Sequence, residues 1–208
     1  MTTTIFKRAA LALCTAASVA APFAAQAQAA EGPWLVRVRA VYLDSANTDQ
    51  TDLGANLTIN NKWIPEVDFS YFFTPNIAAE LVLTYPQTQT VYANGTEIGT
   101  FKHLPPTLTL QYHFTGLPGL VPYVGAGVNY TNISSVNLLN GAATLSKNSW
   151  GLAGQIGVDF PVADGWSVNL DAKKIQIKTD VLVGPSEVNH GSFKVDPWLL
   201  GIGIGKRF

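Results

Sequence analysis

The residue types that most often carry chemistry are scarce in this chain. Its histidines are His103, His113 and His190, and its single cysteine is Cys14. Nucleophilic catalysis requires a hydroxyl, thiol or similar group beside a base, but none of the three histidines has a serine and an acidic residue at a recognisable spacing. No group of Cys, His or Asp residues has the spacing of metal ligands. The sequence therefore predicts no enzyme, no cofactor and no metal site.

Charged residues recur instead at alternate positions of strand-like segments, on the face that the alternation assigns to the interior. They are three cations and five anions: Arg37, Arg39, Arg207, Glu66, Asp68, Glu80, Asp159 and Asp171. A buried charge must be paired, because its desolvation is otherwise too costly. We therefore expect a polar plug of interlocked ion pairs, with Gln111, Gln155 and Asn169 as hydrogen-bond partners. The alternative is a catalytic role for the carboxylates, and internal ion networks are the commoner case.

Further along the same inward face the residues become apolar. This upper lumen is predicted to contain two threonines and seven apolar residues, namely Thr84, Thr107, Val41, Leu43, Ile64, Val82, Ile175, Val195 and Leu199. Lys173 stands at the changeover between the two regions. A water-filled pore has polar walls up to its mouth, whereas an apolar cavity suits an apolar solute. Apolar residues in the connections above either line the same path or only pack those connections together.

Prolines mark one side of this region. Pro86 ends the third strand-like segment, and Pro105 and Pro106 begin the fourth. Proline donates no hydrogen bond to a β-ladder, so these two neighbouring strands are expected to part there and to leave a lateral gap. Through such a gap the lumen would release a solute into the membrane. The alternative is that the prolines only end the strands.

Period-two alternation identifies the elements that would position these residues. Eight segments have the length of a tilted membrane strand: 34–43, 63–73, 77–85, 106–114, 122–132, 150–160, 166–175 and 194–208. Short connections (74–76, 115–121 and 161–165) alternate with long ones (44–62, 86–105, 133–149 and 176–193). This alternation predicts an all-β fold, an eight-stranded antiparallel transmembrane β-barrel with short periplasmic turns and four long extracellular loops.

Composition supports a lipid-facing protein. The 208 residues are 47% hydrophobic and 13% charged, with a formal net charge of −1, whereas a soluble domain carries about 25% charged residues. This balance excludes the basic footprint of a nucleic-acid-binding protein. Aromatic residues gather at both ends of the strands, as at the two interfaces of a membrane. A secreted soluble β-sandwich is the alternative, and the low charge and paired aromatic ends fit it poorly.

The first residues resemble an export signal. Lys7 and Arg8 precede an apolar run, and an Ala-x-Ala pattern follows it. This arrangement predicts a secretory signal peptide over 1–27, with cleavage after Ala27 or Ala29, and a barrel over 28–208. The alternative is an N-terminal helix of the mature domain.

Several motifs together resemble those of the OmpW family, which includes alkane-uptake proteins. They follow one another along the predicted mature chain: His103-Leu-Pro-Pro-Thr107-Leu, Pro122-Tyr-Val-Gly-Ala-Gly-Val-Asn-Tyr-Thr131, Ser149-Trp-Gly, Gln155-Ile-Gly-Val-Asp159, Asp196-Pro-Trp198 and Arg207-Phe208. The resemblance implies a multi-pass barrel in the bacterial outer membrane with a hydrophobic lumen that passes small apolar molecules. Two departures are Lys206, where the family often has an aromatic residue, and Lys173, where it can have a bulky apolar one.

Two functions therefore stay open at the level of sequence. The first is passive uptake of small apolar solutes, with a C-terminal strand that ends in Phe208 as the signal for the barrel-assembly machinery. The second is a structural or surface-recognition barrel without transport, which contacts lipopolysaccharide, phage or host. Four lysines are placed to meet the phosphates of outer-membrane lipid: Lys147, Lys174, Lys178 and Lys194.

Overall fold

The computed structural model describes residues 32–208. The predicted signal peptide and its cleavage site lie outside these residues. Within this range no helix combines the length and apolar character needed to cross a membrane.

Fifteen strands make up one continuous sheet. They are β1 (Trp34–Asp44), β2 (Thr48–Thr51), β3 (Leu57–Ile59), β4 (Lys62–Phe72), β5 (Ile77–Leu83), β6 (Gln87–Ala93), β7 (Thr96–Leu104), β8 (Thr107–His113), β9 (Val121–Leu138), β10 (Ala143–Leu145), β11 (Asn148–Pro161), β12 (Trp166–Ile175), β13 (Lys178–Val183), β14 (Val188–Lys194) and β15 (Trp198–Arg207), with a short 3-10 turn at Leu139–Gly141.

Eight of these strands close into a barrel. In the order β1, β4, β5, β8, β9, β11, β12 and β15, each pairs antiparallel with the next. β15 then pairs with β1, from Leu35 opposite Arg207 to Asp44 opposite Trp198. Closure pairs each of the eight strands on both sides, and so avoids a free edge strand, which lipid is unable to solvate. The predicted eight-stranded antiparallel barrel is therefore confirmed.

The long connections, expected to be loops, carry the other seven strands. The β6–β7 and β13–β14 hairpins continue the wall upwards, and β2, β3 and β10 pair with them or with β9. In the first hairpin Asn94 and Gly95 both have positive φ, as a type I′ turn requires. The predicted start of the last strand at residue 194 is also wrong. Lys194 ends β14, and β15 begins only after Asp196, which has a positive φ, and Pro197.

Lipid-facing aromatic residues form two girdles. At the long-loop end Trp63, Tyr85, Trp150 and Trp198 are exposed, and at the short-turn end the exposed residues are Trp34, Phe73, Phe114, Trp166 and Phe208. Amphipathic rings of this kind favour the two membrane–water interfaces. The barrel strands between the girdles are the membrane-spanning part of the chain.

Gly203→Ala should destabilise the barrel, because a Cβ at this inward position of β15 would lie 2.1 Å from the carbonyl oxygen of Val38 and 2.7 Å from Cγ of Arg39. Overpacking of this kind costs about 1–3 kcal/mol. Urea unfolding in lipid vesicles, followed by the electrophoretic mobility of unheated samples, measures the loss. The control is Gly154→Ala, since a Cβ at that lipid-facing position meets nothing within 4 Å. Equal stability of the two variants would contradict the close approach at Gly203.

Candidate functional site

The lower half of the barrel interior contains the predicted polar plug. Arg37 is fully buried, and its guanidinium forms a two-pronged ion pair with Asp159, with Nε–Oδ1 at 3.1 Å and Nη2–Oδ2 at 2.6 Å. Its Nη1 lies 2.8 Å from Oε2 of Glu80. Paired forks of this type are among the strongest polar contacts in proteins.

Arg39 joins four carboxylates one layer above. Its nitrogens lie 2.6 Å from Asp68, 2.9 Å from Asp171, 3.1 Å from Glu80 and 3.7 Å from Glu66. Because Glu80 Oε2 contacts both arginines, the two layers form one network. Ion pairing offsets much of the desolvation cost of these buried charges, although both carboxylate oxygens of Asp68 have no hydrogen-bond partner among residues 32–208.

Neutral side chains complete the network. The Gln155 amide donates to Glu80 Oε1 at 2.9 Å and to Asp171 Oδ2 at 2.7 Å, and the Tyr123 hydroxyl donates to Asp171 Oδ2 at 2.7 Å. Asn169 donates to Asp159 at 2.9 Å, whereas Gln111 donates to Gln155 at 3.2 Å. Tyr123 was missed from the sequence, although its position in the Tyr123–Gly125–Gly127 alternation places it on the inward face.

Two cations lie at opposite ends of the plug, Lys173 at the top and Arg207 at the bottom. Lys173 Nζ lies 3.1 and 3.3 Å from the two carboxylate oxygens of Glu66, so its charge is paired at the top of the network. Arg207 lies nearer the short-turn end, one inward position below Arg37 on the neighbouring strand. There its Nε donates to the Gly32 carbonyl at 3.0 Å, and its guanidinium covers the Phe72 ring at 3.9 Å.

Above Lys173 the interior is apolar on one half of the wall. A cavity of about 10 Å³, room for about one water molecule, is lined by seven of the nine residues predicted for the upper lumen: Leu43, Ile64, Val82, Thr84, Thr107, Ile175 and Leu199. The other two, Val41 and Val195, are buried in the same apolar cluster. Glu66, His103, Pro105, Ile177 and Pro197 also line it.

The apolar cluster continues into the strands above the membrane. Leu57, Val91, Phe101 and Leu145 are buried in it together with Val41 and Leu43. Leu57, Val91, Phe101 and Leu145 line a second cavity, of about 100 Å³, whose walls are formed by apolar side chains. The upper lumen and the long connections therefore share one packed interior.

The opposite half of the upper lumen is polar, which the sequence reasoning missed. Gln87, Gln89, His103, Asn129, Thr131 and Ser149 are all at most 5% exposed. The two glutamines lie in β6 and His103 in β7, within the connection 86–105 for which the sequence predicts a loop. The alternation Gln87-Thr-Gln89-Thr was the available signal of a strand with one inward face.

The hydrogen-bond ladder is interrupted at the predicted prolines. β5 and β8 pair as far as Val82 opposite Thr107, and pairing resumes only at Gln87 opposite His103. On its other side β5 pairs with β4 as far as Leu83 opposite Val67. Residues 84–86 therefore belong to neither ladder. Tyr85 lies within this interval, which places it at the outer girdle.

Side chains replace the missing ladder bonds. Asn129 Nδ2 donates to the carbonyls of Pro105 and Pro106 at 3.2 and 3.1 Å. Gln87 Nε2 donates to the Tyr85 carbonyl at 3.1 Å, and the Thr84 hydroxyl donates to the Pro65 carbonyl at 2.7 Å. Unpaired backbone groups in lipid cost several kcal/mol each, so these bonds stabilise the interruption.

Arg39→Met should lower the free energy of unfolding by about 3–5 kcal/mol, because it leaves buried carboxylates without their cation. The double variant Arg39→Met with Asp68→Leu should recover part of this loss, since it also removes the carboxylate nearest to the guanidinium. Urea unfolding in lipid vesicles gives both values. A loss below about 1 kcal/mol in the single variant would contradict a dry, fully paired plug.

His103 should make stability depend on pH. Burial, with a smaller contribution from the Lys62 ammonium, lowers the pKa of His103 to about 4. The unfolded chain binds this proton near pH 6.5, so the stabilising difference is present above that pH and is lost as the pH falls to about 4. We expect a contribution of up to about 3 kcal/mol. His103→Phe should flatten the pH dependence of the urea midpoint, and an unchanged slope would contradict the burial of a neutral imidazole.

Comparison with known proteins agrees with this architecture. The family model described as "OmpW family" matches residues 30–208. The chain is 42% identical to the uncharacterized outer-membrane protein y4mB of Sinorhizobium fredii, over 94% of this chain and 96% of that protein. It is 29% identical to the dibenzothiophene metabolism operon protein PahQ of Pseudomonas aeruginosa, over 86% and 90% of the two chains.

A solved structure gives the same fold. The outer membrane protein OprG from Pseudomonas aeruginosa superimposes with a TM-score of 0.70 at 28% sequence identity, and the match covers 86% of this chain and 97% of OprG. The family match spans all eight barrel strands, including the ion network and the upper lumen. The chain thus belongs to the OmpW family of outer-membrane β-barrel proteins.

Proposed function

We propose that the protein is a non-catalytic channel for small apolar molecules, which enter from the long-loop side and leave sideways into the membrane. The observation that carries this proposal is the position of the ladder interruption. It lies beside the apolar cavity and above the polar plug. A solute in the upper lumen therefore meets a charged barrier below and an unpaired segment of wall at the side.

The plug supports lateral rather than axial exit. An apolar solute that moved down the barrel would have to separate Arg39 from Asp68, Asp171 and Glu80, and each broken pair would leave charges unpaired in a dry interior. The segment at residues 84–86 has no such charges. Its outer side faces lipid, into which an apolar molecule partitions favourably.

The name of one relative supports the class of solute. PahQ, a protein of a dibenzothiophene metabolism operon, shares 29% of its residues with this chain. Dibenzothiophene is a flat, apolar aromatic compound. Apolar walls such as Leu43, Ile64 and Leu199 favour solutes of this character.

Two contacts of the barrel complete the proposal. The outward residues of β15, among them Ile202, Ile204 and the exposed Phe208, provide the strand that the barrel-assembly machinery would engage. On the long-loop side Lys174 lies over the Trp198 ring at 5.3 Å. Lys147 and Lys178 are exposed at the same end, where lipopolysaccharide phosphates would meet them.

A second candidate function is a structural or surface-recognition barrel without transport. The observation in its favour is that side chains from the long connections pack against the upper lumen and leave small cavities. In this case the continuous apolar core would serve only to hold the extracellular strands in place. Transport measurements separate the two functions.

Cells of a host strain without other OmpW-family proteins should take up N-phenyl-1-naphthylamine faster when they contain this protein. The probe becomes fluorescent when it reaches phospholipid, so its entry is followed directly. Equal rates with and without the protein, at equal amounts of folded barrel, would rule out the channel and favour the surface-recognition barrel.

The double variant Pro86→Val with Pro106→Val should slow this uptake by about thirtyfold. Valine restores two N–H donors beside the interruption, and each added ladder bond stabilises the closed wall by about 1 kcal/mol. Pro122→Val is the matched control, because Pro122 lies in β9 near the short turns. An uptake rate equal to that of the native chain would contradict lateral exit while leaving the channel itself intact.

A further inference from the structure

The upper lumen has two different walls. β12, β15, β1 and β4 contribute apolar side chains, including Ile175, Leu199, Leu43 and Ile64. The facing strands β6 to β9 and β11 contribute polar ones at the same level. His103 and Thr107 of the polar wall line the same cavity as Leu43 and Ile64. A pure hydrocarbon solute forms no hydrogen bonds and therefore gains no binding energy from the polar groups of this wall.

Most polar groups on this wall are paired within the protein. Asn129 donates to Thr107 at 2.9 Å and accepts a hydrogen bond from Thr131 at 2.7 Å. Ser149 accepts a hydrogen bond from the Lys178 backbone at 2.9 Å. These groups therefore have a structural role.

The two glutamines are different. The side-chain oxygens of Gln87 and Gln89 are buried and have no hydrogen-bond partner among residues 32–208. Both glutamines are held by residues that line the lower cavity, since Gln87 Nε2 donates to Thr84 Oγ1 at 3.3 Å and Gln89 Nε2 lies 3.2 Å from Nε2 of His103. A buried oxygen without a partner lowers the stability of the fold, and such groups in proteins call for an explanation.

The polar atoms at this level that could take a further hydrogen bond are mainly acceptors. Besides the two amide oxygens, a carboxylate lines the cavity, that of Glu66, which Lys173 and Arg39 hold from below. Among the protein's own donors, Gln87 and Asn129 already bond to backbone carbonyls. A molecule that brings a donor to this wall would therefore meet acceptors that residues 32–208 leave without a partner.

We propose that the upper lumen selects small amphiphiles with an apolar body and one hydrogen-bond donor, such as a hydroxyl group. The body lies against the apolar wall, and the donor bonds to the free oxygen of Gln87 or Gln89. This inference rests on the proposed function and narrows its class of solute. It also gives a reason why the glutamines lie beside the interruption, since the donor is held where the solute leaves the lumen.

Binding of phenol, toluene and anisole tests the proposal. Phenol and toluene have nearly the same shape, but only phenol donates a hydrogen bond, and anisole has an oxygen that only accepts. The protein is labelled at its Ile, Leu and Val methyl groups and placed in lipid nanodiscs, and the shifts of the Ile64 and Ile175 methyl resonances give a Kd for each compound. The ratio of the phenol and toluene Kd values is compared between variants, so that the different partitioning of the compounds into lipid cancels.

We expect one of the two variants, Gln87→Met or Gln89→Met, to weaken phenol relative to toluene by about fivefold, the effect of one hydrogen bond, and to leave the anisole to toluene ratio unchanged. Gln176→Met is the matched control, because Gln176 is exposed on the outside of the barrel. Gln89→Met should lower the free energy of unfolding by no more than the loss of one hydrogen bond, that between its Nε2 and His103, since its oxygen has no partner among residues 32–208. This second measurement separates a binding role from a structural one.

Three results would contradict the proposal. If all three compounds bind and the phenol to toluene ratio is the same in the native chain and both lumen variants, the donor selectivity is wrong and the apolar channel stands. If Gln89→Met unfolds far more easily than the native chain, the oxygen has a structural partner and the proposal is also wrong. If none of the compounds shifts the lumen methyl resonances, the proposed channel function fails together with it.

Discussion

The contact of Glu80 with both Arg37 and Arg39 is the constraint around which the barrel interior is arranged. One carboxylate oxygen lies 2.8 Å from the first guanidinium and 3.1 Å from the second, in an interior from which solvent is excluded. Charges in such a place are tolerated only with nearly complete pairing. The wall must therefore bring carboxylates from several strands to within reach of the two arginines. The glycines at 203 and 205, directly opposite Arg39 and Arg37 on the neighbouring strand, leave the space that the long side chains occupy.

Because the ion network fills the lower barrel, the upper lumen is closed at its lower end. Apolar residues on β1, β4, β12 and β15 make this lumen favourable for an apolar body, and the interruption at residues 84–86 is the place where its wall lacks ladder bonds. A gap in a membrane sheet is costly unless its backbone groups find partners. Asn129, Gln87 and Thr84 supply those partners from their side chains. The polar wall of the lumen and the interruption of the ladder are thus parts of one arrangement.

Period-two alternation was enough to predict the barrel and the inward face of each membrane strand, because a closed sheet gives every residue one of only two environments. Arg39 and Leu43 could therefore be assigned to the plug and the lumen from their spacing alone. The strands above the membrane escaped prediction for a physical reason. In β6 and β13 polar and apolar residues alternate between water and a packed interior, so their composition resembles that of an ordinary loop. The pairing partners of Gln87 and Lys173 depend on the register between distant strands, which the sequence does not contain.

In the proposed channel, the interactions that hold each boundary of the upper lumen determine which boundary would open. Below, Arg39 contacts four carboxylates, so downward passage breaks several ion pairs at about 3–5 kcal/mol for each cation left unmatched. Above, entry separates the apolar side chains that meet around Phe101 and Leu57, and each fully buried one contributes about 1.5–3 kcal/mol. At the side, residues 84–86 are uncharged and are held by a few hydrogen bonds, and Tyr85 already faces lipid. In the channel that we propose, a solute that has displaced the upper side chains would leave at the prolines, because the way down separates buried ion pairs whereas the way sideways separates only hydrogen bonds between neutral groups.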